Sequence, residues 1–311
     1  MLLTYLQEKI PLSLKTKLKP FYRLIYPNRL HGIINPTFRC TYKCSYCPVC
    51  SQFDYGNIYP KSCEKTPEEW LKVLEKLPQT TFFILGGEPF LYNGLPELIN
   101  QISDNSKHNI LGLVTNASMP IDLYKQIKNK MHMNISFHRE FAQEDEFIEK
   151  VLQIKDYHHV AVNIVAIPDN IPFIPKLQKI VKHNNIELHV DPYFGKDYTY
   201  SEDELKSLPI SYERVRSKRY KLYNSTKTKL CTAGQNYYCL MPNGDALTCT
   251  TGLDYCYSDL RKDDAKDFDT EIFKLGNVFD DTFKLKEEKI KCPMSCYSHC
   301  DMDYTIIKEV K

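Results

Sequence analysis

The sequence predicts an α/β protein in which six parallel strands, wound with helices, form a partial (β/α)6 barrel followed by a small cysteine-bearing C-terminal domain. Short apolar runs alternate with amphipathic stretches at intervals of roughly 25 residues, the pattern of strand–helix–strand units joined by right-handed crossovers. Six such strand candidates precede residue 195, too few for a closed eight-stranded barrel. The twelve cysteines fall into two groups, Cys40 to Cys63 and Cys231 to Cys300, so a cysteine-free body separates two candidate sites.

The first strand is expected near IINPT (33–37). PEEWLKVLEKL (67–77) reads as a helix, because Trp70, Val73, Leu74 and Leu77 share one face at helical spacing. TFFILGG (81–87) reads as a buried strand ending in a glycine turn. NILGLVTNAS (109–118), HMNISFH (132–138), HVAVNIVAI (159–167) and NIELHVDPYF (185–194) continue the strand series. Helices are expected around 95–103 and over 121–130, 141–154 and 172–183 between them. Ligand-bearing side chains then belong at the carboxyl ends of the strands. Residues 1–30 are expected to form an N-terminal extension, 31–195 the barrel core, 196–230 a polar linker with one helix, and 231–311 the cysteine-bearing domain. In the last of these, LMPNGDALTCT predicts a hairpin turning at Asn243-Gly244. Residues 259–269 read as a charged, solvated insertion.

Composition excludes several classes. Basic and acidic residues number 41 and 39 for a net charge of +2, which gives no electrostatic footprint for a nucleic-acid binder. The basic clusters at 15–23 and 214–221 read as solvated faces or small anion patches. No apolar run approaches the length of a membrane span, and the amino terminus lacks the apolar core of a secretory signal, so a cytoplasmic location is expected. In such a compartment closely spaced cysteines are metal or cluster ligands rather than disulfides.

Cys40, Cys44 and Cys47 have the spacing C-x3-C-x2-C within FRCTYKCSYCPVC. Three thiolates on one loop can ligate three irons of a cubane and leave the fourth open. Read alone, the run also fits part of a ferredoxin-like series through Cys50 or a zinc site. With Tyr46 before the third cysteine, it resembles the C-x3-C-x-aromatic-C signature of the radical S-adenosylmethionine (radical SAM) enzymes. Gly86-Gly87-Glu88-Pro89 resembles that family's GGEP element, which contacts the cofactor's methionyl amine. Adjacent glycines allow close backbone approach, and Glu88 can orient an amine. Thr115-Asn116 resembles the polar pair at the end of the family's fourth strand. Ser136 resembles the serine of its S-x-D segment, with His138 where many relatives have aspartate, and Asn163 resembles another cofactor-side asparagine. His138 thereby becomes a candidate for substrate recognition or proton transfer.

The resemblance implies a TIM-like partial barrel and a [4Fe-4S] cluster on Cys40, Cys44 and Cys47 that binds S-adenosyl-L-methionine at its open iron. It further implies one-electron cleavage to a 5'-deoxyadenosyl radical that abstracts hydrogen. A one-electron reductant such as flavodoxin or ferredoxin is the implied partner. Cys50 lies outside the triplet and is expected to be a packed thiol.

Cys231, Cys239, Cys249, Cys256, Cys292, Cys296 and Cys300 form the second group. Cys231 to Cys249, with Gly244 between, resembles the opening of the SPASM/twitch auxiliary-cluster domain, and LGNVFD (275–280) resembles the segment before its final cysteines. The ending departs from the full pattern. One auxiliary [4Fe-4S] cluster on Cys231, Cys249, Cys296 and Cys300 is expected, with Cys292 as a replacement for one of the last two; zinc is the alternative. Cys239 and Cys256 are candidates for an incomplete second cluster, for packed thiols, or for a hydrogen-atom donor. A peptide or protein substrate is expected for maturation, crosslinking or oxidation. The alternatives are dehydrogenation or epimerisation of a carbohydrate, aminocyclitol or nucleoside-like molecule, and a non-catalytic iron-sulfur electron carrier. Tyr193, Tyr198 and Tyr200 are candidates for the barrel rim, and His189 and Asp191 for substrate contact.

Overall fold

The structure is a computed structural model of the chain. It describes residues 30–47, 49, 55–104, 107–193, 198–208, 229–257, 269–291 and 307–309. The N-terminal extension, both basic clusters, Cys50, the charged insertion short of residue 269, and Cys292, Cys296 and Cys300 lie outside them.

Six parallel strands form the body. They are β1 (Leu30–Ile34), β2 (Thr80–Ile84), β3 (Asn109–Thr115), β4 (His132–Ser136), β5 (His159–Ala166) and β6 (Glu187–Pro192), adjacent in chain order. The helices between them are α1 (Pro67–Leu74), α2 (Leu95–Asp104), α3 (Ile121–Lys125), α4 (Glu144–Lys155) and α5 (Ile174–His183). α1 starts where Thr66 and Glu69 form a reciprocal capping box and Pro67 occupies the first turn. Its Trp70, Val73 and Leu74 are buried against the sheet, as is Leu77 just beyond its end.

Alternation along the strands separates two faces. Ile34, Phe82, Ile84, Leu113, Met133, Ile135, Val162, Ile164 and Val190 point outward into the core shared with the helices. The opposite, inner face is more polar toward β6: Ser136 pairs in register with Asn163, and Asn163 with His189. β6 ends the sheet, and the exposure of Glu187 and His189 shows that the inner face opens to solvent there.

Two boundaries differ from expectation for identifiable reasons. β1 ends at Ile34, before Pro36, which has no N–H to give to a ladder. The chain nevertheless stays alongside β2, with Leu85 N donating to Ile34 O (3.1 Å) and Gly87 N to Thr37 O (3.1 Å). α3 stops five residues short of the expected 130 because Asn100 takes over its exit: Asn100 Nδ2 donates to Gln126 O (2.8 Å) and Lys128 N donates to Asn100 Oδ1 (2.8 Å).

The second cysteine region does not stand apart from the barrel sheet. After α6 (Glu202–Ser207) and β7 (Lys229–Cys231) come β8 (Tyr237–Leu240) and β9 (Asp245–Leu247). These two form the expected hairpin, with Gly244 at φ +91° in its turn. β8 then pairs in parallel with β1, and β10 (Lys274–Asn277) pairs with β9, so the sheet has nine strands in the order β10-β9-β8-β1-β2-β3-β4-β5-β6. Helix α7 (Thr250–Tyr257) follows Cys249. A small second sheet places β7 between β11 (Ile290–Lys291) and β12 (Ile307–Glu309).

Candidate functional site

The loop carrying Cys40, Cys44 and Cys47 runs over the carboxyl ends of β1 to β4. It is tied down at both ends by side chains that are not cysteines. At the leading end, Asn116 Nδ2 donates to Thr41 Oγ1 (3.0 Å) and toward Cys40 Sγ (3.6 Å), while Tyr42 N donates to the same sulfur (3.4 Å). Thr41 and Ser118 hydroxyls lie 2.7 Å apart. At the trailing end, Tyr46 Oη is 2.8 Å from His138 Nδ1 with the rings stacked, and Ser45 N donates to Glu140 (2.8 Å). Tyr42 stacks on Phe141.

The thiol of Cys44 is buried, and that burial, with Cys47, Glu140 and Cys40 nearby, pushes it up to about 12. Iron would have to supply the free energy that makes it a thiolate. Two N–H donors face Cys40 Sγ, a donor set that suits thiolate ligation. Among the described residues no three His, Cys, Asp or Glu side chains converge as ligands of one metal ion. A cubane, in contrast, takes one cysteine at each iron that the protein ligates, so three thiolates need not converge on one ion.

Gly86 and Gly87 sit beside the chain leading into this loop. A Cβ on Gly86 would stand 2.1 Å from Thr37 O, and one on Gly87 2.2 Å from Arg39 O. The close approach of two protein backbones therefore requires glycine at both positions.

Glu88 was expected to orient an amine. Its side chain is fully buried, with Thr115 Oγ1 donating at 2.9 Å, Asn116 N at 2.7 Å and Phe90 N at 3.2 Å. Burial outweighs these three donors and raises its carboxyl to about 7. Pro89 begins the 3-10 turn Pro89–Leu91 that follows. Thr115, also buried, receives Ala117 N (3.1 Å), and Asn116 Oδ1 receives Ser118 N (2.9 Å), which folds the chain into a turn with Ala117 at φ +57°. Glu88, Thr115 and Asn116 thus form one network ending on Cys40.

His138, a candidate for proton transfer, is pushed down to about 4 by burial and is neutral near pH 7. Burial pushes the Tyr46 phenol upward, so it keeps its proton and shares a hydrogen bond with the neutral His138 ring. The pair buttresses the cysteine loop. Ser136 and Asn163 lie side by side on the inner face, and Asn163 Nδ2 donates to Asp191 (2.9 Å). His189 Nε2 is 2.9 Å from Glu187. Of the rim tyrosines, Tyr200 is structural: its hydroxyl donates to Ala166 O (2.6 Å) and accepts from Tyr193 N (2.7 Å).

Cys231, Cys239 and Cys249 are buried in one apolar cluster with Phe38, Tyr55, Tyr59, Tyr237 and Phe273. Cys63 and Cys256 pack at its edge. Ala233 N donates to Cys231 Sγ (3.4 Å). Cys239 Sγ lies 3.5 Å from Tyr237 Oη, and Cys256, pushed up to about 11 by burial, lies 3.7 Å from Thr270 O. Cys63 was not singled out from sequence. Its neighbours come from distant segments, which no local spacing announces.

Arg39 and Glu64 were likewise missed. Arg39 forms a two-pronged ion pair with Glu64 through Nε (2.8 Å) and Nη2 (3.0 Å), and Nη2 also donates to Leu91 O (2.6 Å). Thr37 Oγ1 donates to the same carboxylate (2.5 Å). The position of Arg39 beside Cys40 was the only signal available.

The family model described as "Radical SAM superfamily" matches residues 34–187, which supports a radical SAM core over that stretch. Over 159 residues the chain is 26% identical to the GTP 3',8-cyclase of Desulforamulus reducens, covering 43% of this chain and 46% of that relative. The match therefore spans about half the length of that relative. In structure the chain resembles Streptococcus suis SuiB bound to S-adenosylmethionine, with a TM-score of 0.51 and 16% identity over 79% of this chain and 68% of that one. It also resembles native anSMEcpe with bound AdoMet, with a TM-score of 0.54 and 18% identity over 81% and 79%. A further anSMEcpe structure, with AdoMet and the Kp18Cys peptide, has a TM-score of 0.52 and 17% identity over 82% and 79%. At these identities the structural likeness shows the fold. No helix among the described residues is long and apolar enough to cross a membrane.

Proposed function

We propose that this chain is a radical SAM enzyme that reductively cleaves S-adenosyl-L-methionine and abstracts hydrogen from a peptide or protein substrate. The observation that carries the reading is the meeting of the cysteine triplet with the Gly86-Gly87 edge and Asn116 at the carboxyl ends of parallel strands. When bound, a [4Fe-4S] cluster and the cofactor would supply reductive carbon–sulfur cleavage and hydrogen abstraction. Cys40, Cys44 and Cys47 would hold that cluster, and the polar inner face at Ser136 and Asn163 would hold the cofactor's polar groups. Tyr46 and His138 keep the loop fixed, and a small apolar cluster with Ile167, Tyr42 and Val165 packs around Cys44 and Cys47.

Cys231 and Cys249, in one apolar cluster, are two ligands of the proposed auxiliary [4Fe-4S] site; Cys296 and Cys300, or Cys292 in place of one, would complete it. Cys239 lies in the same cluster and Cys256 at its edge, and they remain candidates for an incomplete second cluster, for packed thiols or for a hydrogen-atom donor. The peptide reading is favoured by the fold likeness to anSMEcpe with a bound peptide. A small-molecule reading, in which a nucleotide is the substrate, is favoured by the sequence likeness to a GTP 3',8-cyclase.

The test is anaerobic reconstitution with iron and sulfide, reduction, and incubation with S-adenosyl-L-methionine. Formation of 5'-deoxyadenosine and methionine is expected, and its absence with every candidate substrate removes the proposal. Iron and sulfide near eight each per chain are expected for two cubanes; near four each removes the auxiliary site. Deuterium transfer from labelled peptides, but not labelled nucleotides, into 5'-deoxyadenosine decides between the substrate classes.

A further inference from the structure

Resting on the reading above, we propose that Arg39 and Glu64 are positioning residues for S-adenosyl-L-methionine, fixing the register between the first cluster cysteine and the Gly86-Gly87 edge. Arg39 immediately precedes Cys40. Its backbone oxygen accepts from Glu88 N at 2.8 Å, and Thr37 O accepts from Gly87 N at 3.1 Å. The lead-in to the cluster loop and the glycine edge are thus zipped together by main-chain bonds, with no room for a Cβ between them.

Glu64 locks that zipper from the side. Its carboxylate, 7% exposed, gathers Thr37 Oγ1 and two nitrogens of Arg39. Arg39 Nη2 then reaches Leu91 O on the turn that follows Pro89. One guanidinium therefore joins three segments: the run into Cys40, the stretch leading to α1, and the turn leaving the glycine edge. On the other side the same edge is held through Glu88 to Asn116, and Asn116 reaches Cys40 Sγ. The ring closes on the first thiolate.

A two-pronged, charge-assisted pair fixes direction as well as distance, so a lysine or a neutral amide cannot reproduce it. Loosening it leaves all three cysteines available to iron. What it alters is where the open iron stands relative to the edge that receives the methionyl group. The pair should therefore act on cofactor affinity separately from cluster assembly.

The test compares reconstituted wild-type protein with Glu64→Gln and Arg39→Lys, measuring iron and sulfide content, the KM for S-adenosyl-L-methionine, kcat, and the change in the reduced cluster's EPR spectrum on adding the cofactor. Both variants are expected to load iron as the wild type does while KM rises on the order of tenfold, the scale of one lost charge-assisted hydrogen bond. Lys176→Gln, which breaks an exposed ion pair with Glu144 on the helical side, is expected to change none of these. Unchanged KM and an unchanged EPR response in loaded variants would overturn the proposal, as would a loss confined to thermal stability or iron content. If Glu64→Gln does not accumulate, Arg39→Lys decides by the same measurements. Failure of the wild type to cleave the cofactor counts against the enzyme reading itself, and the EPR response to cofactor binding then still tests the pair.

Discussion

Replacing Glu88 by glutamine should change how stability depends on pH. Burial raises the folded-state carboxyl from 4.5 to about 7. An acid raised in this way costs nothing below its unfolded value, where it is protonated in both states. Its cost grows as pH climbs through the interval between the two values and levels off above the folded one. A displacement of about 2.5 pKa units sets a ceiling near 3.4 kcal/mol, of which roughly 2.5 kcal/mol develops between pH 5 and pH 8. Glutamine cannot ionise, so it removes that slope. It also turns an amide N–H toward Asn116 N, where a carboxylate oxygen now accepts at 2.7 Å. That donor-to-donor contact costs about 1–3 kcal/mol at every pH. Wild type should therefore be the more stable protein at pH 5, with its advantage gone or reversed at pH 8. Anaerobic urea unfolding followed by the fluorescence of Trp70, the single tryptophan and fully buried, measures this directly. A stability difference that stays constant from pH 5 to pH 8 would show that Glu88 is ionised throughout, and that its three donors outweigh burial.

Alanine at Cys40, Cys44 or Cys47 should each remove about four irons per chain, whereas alanine at Cys50 should remove none; iron analysis after reconstitution reads both. Gly87→Ala forces a Cβ to within 2.2 Å of Arg39 O, so the segment leading into Cys40 must move away; cofactor binding should be lost and thermal stability should fall. His138→Phe preserves the stack on Tyr46 and deletes its hydrogen bond, at a cost of about 1 kcal/mol. Because burial already holds His138 at about 4, the pH–rate profile above pH 6 should not change. A shifted acidic limb would instead make His138 a proton-transfer group.

Patterns with a short period were legible and partners across long sequence distances were not. The strands from β1 to β6 lie near their expected positions because one face of each is packed under helices, and that burial repeats every second residue. The extension through β8 was hidden. Tyr237–Leu240 is buried at all four positions, shows no alternation, and pairs with a strand some two hundred residues earlier. Its parallel pairing with β1 leaves no local trace. At the site the same division holds. The cysteine spacing marked the loop, and GGEP marked the edge beside it. Glu64, one acidic residue in a polar run, carried no mark, yet it holds Thr37 and Arg39 in place.

The glycine pair shows why this matters for reading chemistry from sequence. Gly86 and Gly87 are necessary, but the atoms that exclude a side chain there are Thr37 O and Arg39 O. Glu88 is necessary too, but its donors are Thr115, Asn116 and Phe90. Both motif elements thus meet the protein's own atoms beside the cysteine loop. Substitutions in GGEP should accordingly disturb the environment of Cys40 before any cofactor is added. EPR spectra of the reduced cluster in the Glu88→Gln variant, recorded without S-adenosyl-L-methionine, should differ from wild type. Identical spectra would mean that Glu88 acts on the cofactor alone, and that the network through Asn116 to Cys40 carries no information to the iron.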